Sequence, residues 1–172
     1  GSRFSLHEHD GEFFLKLNGR QLMSTTATTS EIMLADLPCR PFGLRPVKVL
    51  IGGLGLGFSL KRVLELTGPE ATVEVAELLP EVVAWNREFL RGVNGKLLED
   101  RRVKVITKDV FEVLRLAPKP SYDAILLDVD NGPDFLIHPR NQALYTKRGL
   151  RSAYAQLTPG GTLSIWCQGP TP

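Results

Sequence analysis

Residues 47–57, Val-Lys-Val-Leu-Ile-Gly-Gly-Leu-Gly-Leu-Gly, decide the fold. The apolar run Val47–Ile51 predicts a strand that is buried on both faces. The glycines that follow predict a turn into a helix over Phe58–Leu66. Glycine lets a backbone approach a nucleotide closely, and the helix N-terminus offers free N–H groups. We therefore predict that the turn binds a cofactor through Gly52, Gly53, Gly55 and Gly57, the alternative being a tight turn without a ligand.

The spacing of these glycines bears on which nucleotide is bound. A dinucleotide-binding turn expects GxGxxG, in which the last glycine permits close packing of helix on strand. Counted from Gly53 and Gly55, that last position is Phe58. The spacing argues against NAD and favours the GxGxG form that is common among methyl-transferring folds.

The remaining chain alternates strands and helices. Further strands are predicted at 72–76, 103–106, 122–127 and 162–166, with helices from Pro80, over 110–116 and over 150–157. Repeated βα units specify an α/β fold with a parallel, Rossmann-like sheet and helices on both faces. We assign this domain to residues 47–172.

The first part of the chain has a different pattern. Asp10-Gly11 and Asn18-Gly19 separate three short apolar segments, and both dipeptides are strong hairpin signals. We predict a β meander, then a short helix over Glu31–Leu37 with Ser30 as its N-cap. This unit covers residues 1–37, and prolines mark the connector that follows it.

The bulk composition excludes several classes of partner. The chain has 172 residues and a formal net charge of +2, with no basic tract of the kind that binds nucleic acid. No apolar run approaches the ~20 residues that span a bilayer, and no signal-peptide region follows the start. No CxxC spacing indicates a zinc site, and His7 and His9 share one face of a strand but have no third ligand, so an exposed strand edge is favoured over a metal site. The expectation is a cytoplasmic protein without a metal, a nucleic-acid partner or a membrane.

Acidic residues follow the second and third strands of the predicted sheet. Glu77 ends the second strand, where a carboxylate can accept hydrogen bonds from the ribose hydroxyls of a nucleoside. Asp109 follows the third strand and can accept from an adenine amino group, with Val110 covering the ring. The alternatives are a solvated acid for Glu77 and a helix N-cap for Asp109. Ligands bind at the carboxyl ends of strands in such sheets, so both acids are predicted to bind the cofactor.

The stretch after the fourth strand, Asp-Val-Asp-Asn-Gly-Pro-Asp over 128–134, carries the candidates for chemistry. Asp128 can hold or deprotonate an amine nucleophile, with Asp130 as a second catalytic candidate. Asp134 adds negative potential on the side of the substrate, and Tyr145 can line an acceptor pocket. The alternatives are a loop shaped by Asx turns and, for Tyr145, simple packing.

Together these residues resemble the spermidine synthase-like family. The resemblance runs from about Asp10 to Trp166 and includes Leu15-Lys-Leu-Asn-Gly-Arg20, Ile51-Gly-Gly53, Val75-Ala-Glu77 and the Asp128 loop. A bacterial branch is similar through Gly52–Gly57, Val83-Ala-Trp-Asn86 and Leu127–Pro133. The resemblance implies a transferase of the class I methyltransferase fold with a β-hairpin extension, often dimeric. It carries Asp128 over as the base and Glu77 and Asp109 as nucleoside ligands.

Two departures from that family affect the predicted reaction. The family's turn is GGGDGG, and its aspartate, which holds the free amine of decarboxylated S-adenosylmethionine, falls here on Gly55. A neutral loop permits the intact donor, S-adenosylmethionine, because no carboxylate repels the carboxylate of that molecule. The last two of the family's usual seven strands are also expected to be absent, which would leave a sheet edge that favours a homodimer.

The first-ranked prediction is methyl transfer from S-adenosylmethionine to a small amine or hydroxyl acceptor. The first alternative is a polyamine aminopropyltransferase that uses decarboxylated S-adenosylmethionine. The second is a nucleoside-binding or dimeric scaffold without turnover.

Overall fold

Three N-terminal strands form a small antiparallel sheet in the computed structural model, which describes residues 3–129, 136–137 and 139–167. They are β1 (Phe4–His9), β2 (Glu12–Leu17) and β3 (Arg20–Ser24), in the spatial order β1-β2-β3. Asp10, Gly11, Asn18 and Gly19 all have φ between 50° and 82°. Two successive positive φ values are what the tight hairpin turn requires, so the predicted meander is confirmed.

Five parallel strands form the second sheet. They are β4 (Lys48–Gly52), β5 (Thr72–Ala76), β6 (Val103–Ile106), β7 (Tyr122–Leu127) and β8 (Leu157–Ile165), in the order β6-β5-β4-β7-β8. The chain runs outward in one direction from β4 through β5 and β6, and then continues on the other side of β4 with β7 and β8. The carboxyl ends of β4 and β7 therefore mark the switch point, where ligands bind in such sheets.

Helices cover both faces of this sheet. They are α1 (Thr29–Cys39), α2 (Phe58–Leu66), α3 (Pro80–Glu88), α4 (Arg91–Asn94), α5 (Val110–Leu116) and α6 (Lys147–Tyr154). Short 3₁₀ helices span Arg40–Phe42, Leu97–Glu99 and Pro139–Tyr145. None of the helices in the described part of the chain is both long and apolar enough to cross a membrane.

The core divides into two clusters because successive strand residues point to opposite faces. Val49 and Ile51 of β4 lie in one cluster with residues of α1 and α2. Leu50, between them, lies in the other cluster with residues of α5 and α6. Val49, Leu50 and Ile51 are all fully buried. The predicted Rossmann-like sheet with helices on both faces is confirmed.

Three predicted boundaries are wrong. The first helix spans Thr29–Cys39, so Ser30 lies inside it, and the Ser30 hydroxyl donates to Glu31 rather than capping the backbone. The helix continues through Pro38 because its last turn is buried against the sheet, and such packing overrides local propensity.

The last helix begins at Lys147 rather than Leu150, since the Thr146 hydroxyl caps it by accepting from the Gly149 N–H at 3.0 Å. The last strand begins earlier than the predicted residue 162, since β8 starts at Leu157 and residues 158–161 interrupt its pairing with β7. Leu157 pairs with Tyr122 and Thr162 with Ala124, which leaves Thr158–Gly161 as a bulge.

Candidate functional site

A cavity of about 250 Å³ opens at the carboxyl ends of the central strands. Six residues predicted from sequence line it: Gly53, Gly55, Glu77, Asp109, Val110 and Asp128. They come from four different βα connections, and the strand order places those connections side by side. The structure therefore brings most of the predicted site together, while the roles of these residues remain predictions.

The glycine loop touches its surroundings too closely for side chains. Gly53 has φ +90°, and a Cβ at this position would lie 2.2 Å from the Asp128 carbonyl oxygen. A Cβ on Gly55, at φ +52°, would lie 2.7 Å from the sulfur of Met23. The loop is thus confined between the end of β7 and the N-terminal meander. Glycine is required at position 53, where a Cβ would meet backbone, whereas the contact at Gly55 is with the flexible end of Met23.

Gly52 and Gly57 are not among the residues that line the cavity. A Cβ on Gly52 would lie 2.8 Å from Cγ2 of Val110, so this glycine permits close packing of α5. A Cβ on Gly57 would lie 2.8 Å from Oδ1 of Asn86. Packing therefore explains both glycines, and their predicted contact with a cofactor remains untested.

Glu77 is buried, and its carboxylate accepts hydrogen bonds from the glycine loop and from the segment before α3. Its Oε2 accepts from the Leu54 N–H at 2.8 Å, and its Oε1 accepts from the Leu79 N–H at 2.9 Å. Burial raises the pKa of Glu77, while the N–H groups of Leu54, Leu79, Leu78 and Gly55 act in the opposite direction. A carboxylate has about four acceptor positions, and backbone N–H groups occupy at least two of those on Glu77, so its contact with ribose hydroxyls stays a prediction.

Asp109 is the N-cap of α5. Its Oδ1 accepts from the Phe111 N–H at 2.8 Å. The side chain also lines the cavity beside the buried Val110. The N-cap and the nucleoside-binding interpretations are therefore compatible, because one carboxylate oxygen caps the helix and the other remains available.

Asp128 follows β7 directly, and its N–H donates to the Gly52 carbonyl at 2.8 Å. Burial raises the pKa of Asp128 to about 7, and the negative charge of Glu31 contributes in the same direction. Glu31 lies in the first turn of α1, is 6% exposed and accepts from the Ser30 hydroxyl at 2.7 Å. A carboxyl group with a pKa near neutrality can exchange protons at physiological pH.

Sequence reasoning missed Glu31. A lone glutamate before an apolar helix is typical of a solvated first turn, and only the packing of α1 beside β7 places it near Asp128.

The meander supplies an apolar wall that the sequence analysis also missed. Phe4, Leu15, Leu22 and Met23 line the cavity. Leu15 and Met23 are paired across β2 and β3, and they pack with the buried Leu56 of the glycine loop. The alternation of apolar residues along β2 was the available signal, since it requires a partner surface for one face.

Four other lining residues adjoin predicted ones, and they are Ala76, Leu78, Lys108 and Val129. Four more do not, and they are Leu79, Val82, Ile137 and Asn141. Tyr145 instead packs against the apolar cluster around Leu50 and is not among the lining residues, so its predicted contact with substrate is untested. Asp130 and Asp134 lie outside the described residues.

No group of three or more His, Cys, Asp or Glu side chains within 3–129, 136–137 and 139–167 is arranged to hold a metal ion. The expectation that no metal is required stays a prediction.

Comparisons with known proteins converge on one family. The model for the spermine/spermidine synthase domain matches residues 28–170. The polyamine aminopropyltransferase of Mycobacterium tuberculosis is 35% identical over 130 residues, which are 74% of this chain and 24% of that protein. The polyamine aminopropyltransferase of a Synechococcus strain is 32% identical over 130 residues, or 73% of this chain and 38% of that protein.

The fold is shared with solved structures. The spermidine synthase from Thermotoga maritima superposes with a TM-score of 0.77 at 23% identity, over 95% of this chain and 53% of that one. At this identity the match shows the fold alone. The chain spans 24% and 38% of the length of these two curated relatives.

Proposed function

The chain belongs to the spermine/spermidine synthase family, and from this we propose that it forms the donor-binding part of a polyamine aminopropyltransferase. The donor is decarboxylated S-adenosylmethionine and the acceptor is a polyamine. The proposal rests on one observation: Glu77, Asp109 and Asp128 line the same cavity as the glycine loop.

Aminopropyl transfer is better supported than methyl transfer, the first-ranked prediction from sequence. The matching family model is named for spermine and spermidine synthases, and both curated relatives are named for aminopropyl transfer. The glycine at position 55, where the family has an aspartate, favours the intact donor, because residue 55 itself carries no carboxylate.

In the proposed complex, Glu77 accepts hydrogen bonds from the ribose hydroxyls and Asp109 accepts from the adenine amino group. Val110 packs against the adenine ring. The apolar side chains of the meander cover the donor and exclude water, which strengthens the electrostatic interactions within the site.

Asp128 takes the proton in the proposed reaction. The acceptor nitrogen forms a bond to the aminopropyl carbon that is attached to sulfur, and the bond between that carbon and sulfur breaks. The electron pair goes to sulfur, which loses its positive charge and leaves as methylthioadenosine. The nitrogen loses a proton to Asp128, whose near-neutral pKa suits it to this step.

Calorimetric titration of the 172-residue chain with each donor tests the proposal. We expect decarboxylated S-adenosylmethionine to bind more tightly than S-adenosylmethionine. Tighter binding of the intact donor would overturn aminopropyl transfer in favour of methyl transfer. If neither donor bound, the cavity would not be a donor site.

A further inference from the structure

Two buried asparagines contact the glycine loop from outside the cavity. Asn86 lies in α3 and Asn94 ends α4, and each is 7% exposed. The Asn86 side-chain amide donates to the Gly55 carbonyl at 2.8 Å and to the Val82 carbonyl of its own helix at 2.9 Å. The Asn94 side-chain amide donates to the Leu56 carbonyl. Neither asparagine is among the residues that line the cavity.

Gly57 is explained by the same two side chains. It has φ +89°, and a Cβ there would lie 2.8 Å from Asn86 Oδ1 and 3.2 Å from Asn94 Nδ2. The last glycine of the GxGxG pattern therefore permits the two amides to reach the loop. Gly57 is therefore explained by contacts on the side of the loop that faces away from the cavity.

The loop is consequently held on two sides. On the cavity side, the Leu54 N–H donates to Glu77 at 2.8 Å, and the Gly55 N–H also faces that carboxylate. On the outer side, the carbonyls of Gly55 and Leu56 accept from the two asparagines. A segment with three positive-φ glycines has large conformational freedom in isolation, so side-chain hydrogen bonds are needed to fix one conformation.

The chemistry of Asn94 argues for positioning rather than simple packing. Within the described residues, its buried Oδ1 has no hydrogen-bond partner. A buried polar atom without a partner destabilises a fold, and an apolar residue of similar size avoids that cost. The amide is therefore explained better by what its N–H group holds than by its contribution to stability.

We propose that Asn86 and Asn94 are positioning residues that hold the glycine loop in its donor-binding conformation. The part of this inference that concerns the donor rests on the proposed function. The part that concerns the loop does not, because the contacts exist in the protein alone.

Hydrogen exchange and donor titration of Asn86→Ala and Asn94→Ala test the inference. Each variant loses one hydrogen bond to the loop, and a bond of that kind corresponds to about a factor of ten in an equilibrium constant. We therefore expect roughly tenfold faster exchange at the Leu54 and Gly57 amides. Exchange at Val73 in the central sheet should not change. The donor Kd should rise by about the same factor, whereas kcat at saturating donor should hold, because neither side chain contacts the reacting atoms.

Thr67→Val is the matched control. It removes a buried hydrogen bond from a side chain to a backbone carbonyl, Thr67 to Val63 at 2.8 Å, at the far end of α2. It should lower Tm without changing loop exchange or donor affinity. Unchanged loop exchange in both asparagine variants would overturn the inference, as would faster exchange with an unchanged donor Kd.

Two further outcomes also decide the question. If the wild-type chain bound no donor, the proposed function would fail, and loop exchange alone would still support or overturn the positioning role. If both asparagine variants failed to fold while Thr67→Val folded, the amides would be needed for folding itself, which would overturn a specific role in the loop.

Discussion

Replacing Asp128 by asparagine should stabilise the folded protein at neutral and alkaline pH. The pKa of this carboxyl is raised from 3.8 to about 7 in the folded state, first by burial and then by the charge of Glu31. Between these values the folded protein keeps a proton that the unfolded chain has lost. Stability contributed by this group is therefore present at low pH and is lost as the pH rises toward 7.

The magnitude follows from the width of that window. Each pKa unit corresponds to about 1.4 kcal/mol, so the two units between pH 5 and pH 7 cost the wild-type protein about 3 kcal/mol. Asparagine does not titrate and escapes this loss. Other ionisable groups are common to both proteins and largely cancel in the difference. Against a typical total of about 5–15 kcal/mol, the effect is large enough to measure.

Urea denaturation of the two proteins at pH 5, 6, 7 and 8 measures the difference. We expect the free energy of unfolding of Asp128→Asn, relative to wild type, to rise by about 3 kcal/mol between pH 5 and pH 8. Glu31→Gln is the control, since it should lower the pKa of Asp128 and so narrow the pH range over which the folded protein loses stability. A difference that does not vary with pH would refute the argument that Asp128 is protonated in the folded protein near neutrality.

Two further predictions concern the walls of the cavity. Glu77→Ala should weaken donor binding by about 1–3 kcal/mol in calorimetry, because it removes the acceptor of the Leu54 N–H and the proposed acceptor of the ribose hydroxyls. An unchanged affinity would show that Glu77 does not bind the donor. Gly53→Ala should lower Tm more than Gly19→Ala, because both have φ above +80° but only a Cβ on Gly53 meets another atom within 4 Å. Equal losses of Tm would show that backbone strain alone explains the glycine.

The strands were largely predictable because their signals are local. The β1–β3 meander follows from two turn dipeptides, and β5, β6 and β7 follow from short apolar runs between turn residues. The errors occur where the deciding contact is distant in sequence or depends on one cap. The first helix extends through Pro38 because the sheet covers it, and the bulge in β8 depends on its pairing with β7.

The candidate site was predictable in part for a topological reason. Acids placed after successive parallel strands meet at one edge of the sheet, so Glu77, Asp109 and Asp128 were brought together by the strand order alone. Glu31 approaches Asp128 through the packing of α1 beside β7, and the meander wall reaches the cavity by packing on the glycine loop. No local pattern encodes that approach, and the same is true of the two asparagines that hold the glycine loop.

The same burial that destabilises the folded protein suits Asp128 to its proposed role as a base. The charged side chains among the described lining residues are Glu77, Lys108, Asp109 and Asp128, so carboxylates predominate. A sulfonium donor and a polyamine acceptor are both cations, and negative potential favours their binding. In the proposed reaction the acceptor nitrogen must nevertheless lose a proton. A carboxylate with an ordinary pKa accepts that proton poorly, whereas one with a pKa of about 7 accepts it near the working pH. Partial burial of Asp128 within range of the charge of Glu31 lowers stability at neutral pH, and the proposed proton transfer gives that cost a function.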